Sequence, residues 1–179
     1  VVIEFQGGEP LLNFETIKVI IEYAKELNKT YKKNLYFDLV STLTMVDKDM
    51  VNYFKENKVS ICTSLDGPKE VHDKNRMYLG GKGTYDDVVN GINLVKENYG
   101  RISALMVTTK FSYPYYKEIV DEYLKHDFLK IRLKSMSNIG YAQKVWDKIG
   151  YNGEEYLDFW KKSMNYIFKM NKDGKFLIE

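Results

Sequence analysis

The sequence predicts an α/β fold: a parallel sheet with helices outside it. Two observations carry this. Short β-branched runs alternate with longer amphipathic stretches, and the alternation repeats along all 179 residues. Each stretch between two runs holds a helix, so the crossovers are expected to be right-handed. The pattern leaves two architectures open, a cut (β/α) barrel and an open doubly wound sheet.

The elements follow in order. Val1–Gln6 is apolar and β-branched, and Gly7-Gly8 ends it. Residues 14–29 place Ile17, Ile20, Ile21, Ala24 and Leu27 on one helical face. Leu35–Thr42 reads as the second strand. Asp47 is placed to cap a short helix that buries Met50, Val51 and Phe54. Val59–Leu65 is the third strand, and a Gly- and charge-rich loop runs from Asp66 to Gly83. Thr84 is then expected to cap a helix, with Asp87 completing a capping box and Val88, Val89, Ile92 and Val95 inside. Gly100 stops that helix before the strand Ile102–Thr109. Pro114 suits the first turn of the next helix, which turns Tyr116, Ile119, Val120 and Tyr123 inward. Leu129–Leu133 is the fifth strand. After a looser stretch, residues 154–171 form a last helix on Leu157, Trp160, Met164, Ile167 and Phe168.

Composition narrows the function classes. With 27 basic and 25 acidic residues the net charge is +2, which argues against a nucleic-acid partner. The apolar runs are far short of the ~18 residues a membrane span needs. The single cysteine, Cys62, leaves no internal disulfide and fits a reducing cytoplasm. The opening Val1-Val2-Ile3-Glu4-Phe5 reads as the middle of a buried strand, so a piece of a longer protein is expected.

In parallel α/β folds, ligands lie at the carboxyl ends of the strands. After the first strand stands Gln6-Gly7-Gly8-Glu9-Pro10. Two glycines let backbone amides approach a ligand, Glu9 offers a carboxylate to an ammonium group, and Pro10 stiffens the exit. A plain tight turn is the alternative. After the second strand comes a run of hydroxyls, Ser41-Thr42-Leu43-Thr44, with helix capping as its alternative use. After the third come Ser64-Leu65-Asp66-Gly67-Pro68, His72-Asp73 and Arg76. Ser64 and Arg76 suit a carboxylate. Asp66, His72 and Asp73 allow a metal reading, against which His72 is more simply a hydrogen-bonding anchor. Thr108, Thr109, Lys134, Ser135, Ser137 and Asn138 are polar strand-end positions without specific chemistry. His126 sits late in a helix, where solvent or the helix C-terminus explains it. Cys62, inside a strand, reads as a small apolar side chain.

Two segments together point further. Phe5-Gln6-Gly7-Gly8-Glu9-Pro10-Leu11-Leu12 resembles the GGEP motif of radical S-adenosylmethionine (SAM) enzymes. Thr63-Ser64-Leu65-Asp66-Gly67-Pro68, His72-Asp73-Lys74-Asn75-Arg76 and Gly83-Thr84-Tyr85 resemble the SLDGP–HDxxR–GT(F/Y) stretch of the same superfamily. The branch resembled is the one that matures peptides and proteins, including the anaerobic sulfatase-maturating enzymes. Within it, Phe5–Glu15, Ser41-Thr42-Leu43-Thr44 and Ser103-Ala104-Leu105-Met106 are most similar to the His-Xaa-Ser system maturases.

This resemblance implies a partial (βα)6 TIM-like barrel in which the chain carries strands two to six. Residues 1–179 would be a core domain lacking its first strand and cluster loop, with 136–179 as a post-barrel extension ending in an amphipathic helix. The implied chemistry is one-electron cleavage of SAM at a 4Fe-4S cluster, giving a 5′-deoxyadenosyl radical that modifies a peptide or protein. Gly7, Gly8, Glu9 and Pro10 would meet the SAM amine, and Thr42 and Ser64 its carboxylate and ribose. Thr42 stands where many relatives carry Asn. Arg76 is a further SAM candidate. The catalytic residue stays unassigned, and the chain holds no metal ligands of its own, since the cluster needs three cysteine thiolates. The implied partners are a peptide or protein substrate, encoded nearby, and an electron donor. The exposed first strand also invites self-association. Two other readings stay open: a non-catalytic peptide-binding module on the same scaffold, and a barrel aldolase using Lys134 as imine former.

Overall fold

A computed structural model describes all residues from Val1 to Glu179. Its strands are β1 (Val2–Phe5), β2 (Tyr36–Ser41), β3 (Ser60–Ser64), β4 (Ile102–Thr108) and β5 (Leu133–Ser135). They form one sheet in the order β1-β2-β3-β4-β5. The helices are α1 (Phe14–Tyr31), α2 (Lys48–Glu56), α3 (Lys69–Asn75), α4 (Tyr85–Asn98), α5 (Tyr116–Lys125), α6 (Tyr141–Lys144), α7 (Trp146–Ile149) and α8 (Gly153–Lys172). The chain divides into two compact units. One is Val1–Ser64 with Asp86–Ser103; the other is Leu65–Tyr85 with Ala104–Glu179.

In the first unit β1, β2 and β3 pair in parallel, with Phe5 beside Leu39 and Leu39 beside Ile61. Alternation along each strand therefore puts Phe5, Phe37, Leu39 and Ile61 on one face. That face closes a core with Ile17 and Ile21 of α1 and Val51 and Phe54 of α2. Burying each such side chain contributes roughly 1.5–3 kcal/mol, so this layer dominates the unit's stability. Helix starts follow their caps: the Asn13 and Asp47 side chains accept N–H bonds from Thr16 and Met50. The other face of β2 and β3, carrying Val40 and Cys62, is only half-buried.

The second unit departs from the sequence reading in four places and adds to it in one. The segment expected as a loop contains α3, which buries Val71 and His72. Its high charge had hidden a two-turn helix whose inner face is only two residues wide. Thr84 directly precedes α4, where a cap was expected, and carries further bonds. Its hydroxyl donates to the Arg76 carbonyl at 3.0 Å, while the Asp73 carboxylate takes the Tyr85 N–H at 2.8 Å. The fifth strand is displaced to Leu133–Ser135, because residues 129–131 spend their backbone groups on the chain's end. Ile131 N–H donates to the Ile178 carbonyl and Ile178 N–H to that of Leu129. Helix α8 buries Phe159, Ser163, Ile167 and Met170, leaving Leu157 and Phe168 exposed. Both stripes have helical spacing; the polar Ser163 disguised the true one by donating back to the Phe159 carbonyl.

The fourth departure is at His126, for which solvent or the helix C-terminus was the expected explanation: it is the C-terminal cap of α5 and is not solvated. It is buried, with Nε2 2.8 Å from Glu122 Oε1. Tyr85 and Lys125 donate to the same carboxylate. Burial raises the Glu122 pKa, but the bonds from His126, Tyr85 and Lys125 outweigh it and hold it at about 2.

Thr108, at the end of β4, is fully buried and its hydroxyl has no partner. An unsatisfied buried hydroxyl costs about 1–3 kcal/mol. Thr108→Val keeps the shape and removes that cost. The variant is therefore expected to gain about 1 kcal/mol in chemical denaturation. A loss of stability would show that the hydroxyl is satisfied by bound water.

Candidate functional site

The bend after β1 is open. Gly7 and Gly8 are exposed, and a Cβ on either would meet nothing within 4 Å. Gly7 has φ +148°, a conformation L side chains rarely adopt. Pro10 begins a 3-10 turn, Pro10–Asn13, that leads into α1. Between them Glu9 is half-buried, and its carboxylate is fully engaged. Oε1 accepts from the Leu11 N–H at 3.1 Å and the Ser41 hydroxyl at 2.6 Å. Oε2 accepts from the Thr42 N–H at 2.8 Å and the Thr42 hydroxyl at 2.5 Å.

The three bonds from Ser41 and Thr42 fasten the bend after β1 to the end of β2. The turn that follows β2 is unusual. Leu43 is buried with φ +60°, a left-handed conformation costing about 1–2 kcal/mol in a non-glycine residue. Gly91 of α4 packs against it so closely that a Cβ would stand 2.4 Å from the Leu43 carbonyl oxygen. Thr42 and Thr44 lie side by side, hydroxyl oxygens 3.1 Å apart. The hydroxyl run thus faces Glu9, while Asp47 alone caps α2. Ser64, ending β3, is buried at 8% exposure.

In the second unit, Arg76 is committed. Its Nε lies 2.9 Å from Asp66 Oδ2 and its Nη2 3.1 Å from Oδ1. The carboxylate that its fork binds is therefore Asp66, which is 2% exposed and also accepts the Val107 N–H at 3.0 Å. Only the remaining guanidinium N–H groups are open to a ligand. His72 Nδ1 accepts from the Asp66 N–H at 3.2 Å. Its other nitrogen, Nε2, then carries the proton and faces the Thr84 hydroxyl at 3.1 Å. Asp66, His72 and Asp73 thus serve three different partners and do not converge on one point. His72 is the anchor that the sequence reading preferred.

Cys62 is half-buried within β3. Lys134 is exposed on β5, without the apolar surround an imine-forming lysine needs. No helix is long and apolar enough to cross a membrane. Sequence reasoning missed Ser41, Leu43 and Gly91 as parts of the Glu9 site. The signal present in the sequence was Ser41-Thr42 ending a strand beside one that ends in a carboxylate.

Comparison with known proteins settles the family. Residues 1–131 match the model of the Radical SAM superfamily. The chain belongs to that superfamily. A cysteine-type anaerobic sulfatase-maturating enzyme of Clostridium novyi is 27% identical over 174 residues, 97% of this chain and 46% of the relative. A serine-type anaerobic sulfatase-maturating enzyme of Bacteroides thetaiotaomicron is 29% identical over 134 residues, covering 70% of this chain and 32% of the relative. Among solved structures, native anSMEcpe with bound AdoMet and Kp18Cys peptide superposes with a TM-score of 0.88 at 25% identity, over 99% of this chain and 49% of that one. The radical SAM chain thus has the expected partial TIM-like (βα) fold, and it spans about half the length of the curated relatives it matches.

The buried hydrogen-bond chain through His72 generates a pH prediction. Burial lowers the His72 pKa, reinforced by the Arg76 charge and opposed by Asp66. The unfolded imidazole, with a pKa of about 6.5, takes up its proton first as pH falls. Stability is therefore full above about pH 6.5 and declines as pH drops toward the folded pKa. Melting temperature should fall from about pH 7 to about pH 5, and His72→Gln should flatten that slope. Equal slopes in variant and parent would refute the assignment.

Proposed function

We propose that this radical SAM chain is the SAM-binding part of a maturase that modifies a peptide or protein. The observation that carries the reading is the open Gly7-Gly8 bend beside a Glu9 carboxylate locked to the end of β2. A bend without side chains admits the methionine end of SAM, and the carboxylate offers its ammonium group an ionic partner. In this reading Gly7, Gly8 and Glu9 take the amine, and Pro10 sets the direction in which the chain leaves. Ser64 takes the carboxylate, and Thr42 takes the ribose, whose hydroxyl its oxygen can accept. Arg76 contributes through the N–H groups that Asp66 leaves open. Residues 136–179 are the extension beyond the sheet, and residues 1–179 a part of the core domain.

The residues fit SAM; they do not fit the iron–sulfur cluster. A cluster that leaves one iron open needs three thiolates, and Cys62 is the chain's single cysteine. The thiolates of a 4Fe-4S cluster would come from outside these residues. When bound, that cluster supplies the electron for cleavage of SAM to a 5′-deoxyadenosyl radical. The reading also brings an electron donor, a peptide or protein substrate encoded nearby, and a cytoplasmic setting. The same single cysteine supports a second reading, a non-catalytic peptide-binding module.

One experiment separates the two. The intact gene product, reconstituted with iron and sulfide without oxygen, is expected to show iron–sulfur absorption and to release 5′-deoxyadenosine from SAM. A colourless product that releases none would favour the module.

The edge of the sheet gives a further expectation. Val1, just before β1, and Val2, its first residue, are 66% and 60% exposed, and β1 is the first strand in the sheet order. An apolar edge with unpaired backbone groups recruits another strand. The 179-residue chain by itself should sediment as a species larger than its 21.1 kDa monomer. A monodisperse monomer would contradict this.

A further inference from the structure

The Glu9 carboxylate has about four lone-pair positions, and four donors fill them. A SAM ammonium group arriving at Glu9 needs one of those donors to leave. Two of them, Leu11 and Thr42 N–H, belong to the backbone and are held by the 3-10 turn and the end of β2. The third, the Ser41 hydroxyl, sits on a side chain that is only 3% exposed. Its oxygen also accepts the Leu43 N–H at 3.0 Å, which fixes the direction of its proton onto Glu9 Oε1. The fourth donor is the Thr42 hydroxyl. It alone has a second acceptor in reach, the Thr44 hydroxyl oxygen at 3.1 Å. The left-handed Leu43, wedged against Gly91, is what brings Thr44 back beside Thr42.

We propose that Ser41 and Thr44 are positioning residues for the amine end of SAM: Ser41 pins Glu9 Oε1, and Thr44 receives the Thr42 hydroxyl when it releases Glu9 Oε2 to the incoming ammonium group. This rests on the SAM-binding reading above. It adds two residues to that site, and it makes the turn after β2 a two-position hydroxyl relay. Binding exchanges one charge-assisted bond to Oε2 for another, and the displaced hydroxyl keeps a partner, so no buried polar group is left unpaired. Without Ser41 the carboxylate gains a rotational freedom that binding must remove. Without Thr44 the Thr42 hydroxyl has nowhere to turn, and it competes with the ligand.

The test uses the intact, cluster-loaded gene product and two ligands in calorimetric titrations. S-adenosylhomocysteine carries the amine; methylthioadenosine lacks the amino-acid end. Ser41→Ala and Thr44→Val are each expected to weaken S-adenosylhomocysteine by about five- to tenfold, the scale of one lost hydrogen bond. Methylthioadenosine affinity should stay at the parent value, and Thr44→Ser should restore S-adenosylhomocysteine binding. Parent-like binding of S-adenosylhomocysteine by both variants overturns the relay alone. So does equal weakening of both ligands, which marks a merely structural role. Failure of the parent protein to bind S-adenosylhomocysteine overturns the SAM reading itself, and the relay with it.

Discussion

Glu9 is the constraint on which the first unit's functional end depends. A carboxylate just beyond the end of one parallel strand reaches across to the end of the next, where it collects two hydroxyls and one backbone N–H, and it takes a second N–H from Leu11 in its own turn. Hydrogen bonds to a charged acceptor contribute about 1.5–3 kcal/mol each when shielded, and the half-buried Glu9 sits toward the low end of that range. Even so, several such bonds outweigh the about 1–2 kcal/mol that a left-handed leucine costs. The turn Ser41-Thr42-Leu43-Thr44 is thus held in a conformation its own backbone preferences oppose. The glycine-lined bend and the hydroxyl pair owe their fixed geometry to that one side chain.

The second unit repeats the device with different parts. Asp66 follows β3 as Glu9 follows β1, and it too accepts a backbone N–H, that of Val107 in β4. Here the carboxylate is almost completely buried, and a buried charge is tolerable only when paired. Arg76 supplies the pairing through two parallel bonds, and α3 exists to deliver it. The same helix places His72 so that a neutral ring bridges the Asp66 N–H and the Thr84 hydroxyl. The SLDGP–HDxxR–GT stretch therefore reads as one hydrogen-bonded clasp. Its histidine and its arginine act on the same aspartate from opposite ends, the backbone amide and the carboxylate.

How far the sequence spoke depended on whether a residue's use was local. Strand–helix alternation and the Asn13 and Asp47 caps are local in sequence. The alternation announces the fold, and Asp47 reads as a cap from its place in the chain alone. The GGEP bend was legible for the same reason: two glycines and an acid in a row carry a meaning before folding. What escaped was long-range. Ser41 stands in a hydroxyl run for which helix capping is an equally good use until its partner, Glu9, 32 residues away, is known. Arg76 looked free because Asp66 had ordinary turn chemistry of its own. The buried face of α8 is masked by the serine in its apolar row, and β5 starts later than its apolar run because the chain's last residues compete for that run's backbone.

The two glycine bends also teach that one residue type answers two different demands. Gly67, after β3, has φ +128°, and a Cβ there would lie 2.7 Å from Ile119 Cγ1. Its lack of a side chain is used up by packing against α5, so nothing else can occupy that space. Gly7 and Gly8 face the reverse situation, since a Cβ on either would touch nothing. Gly7 is needed for its backbone conformation, but packing explains neither residue, and Gly8 has no positive φ to account for it. What remains is access: bare backbone beside a fixed carboxylate, open to a ligand that needs both. The proposed SAM contact thus falls on the bend that packing leaves bare, whereas the bend after β3 is taken up by the chain's own packing.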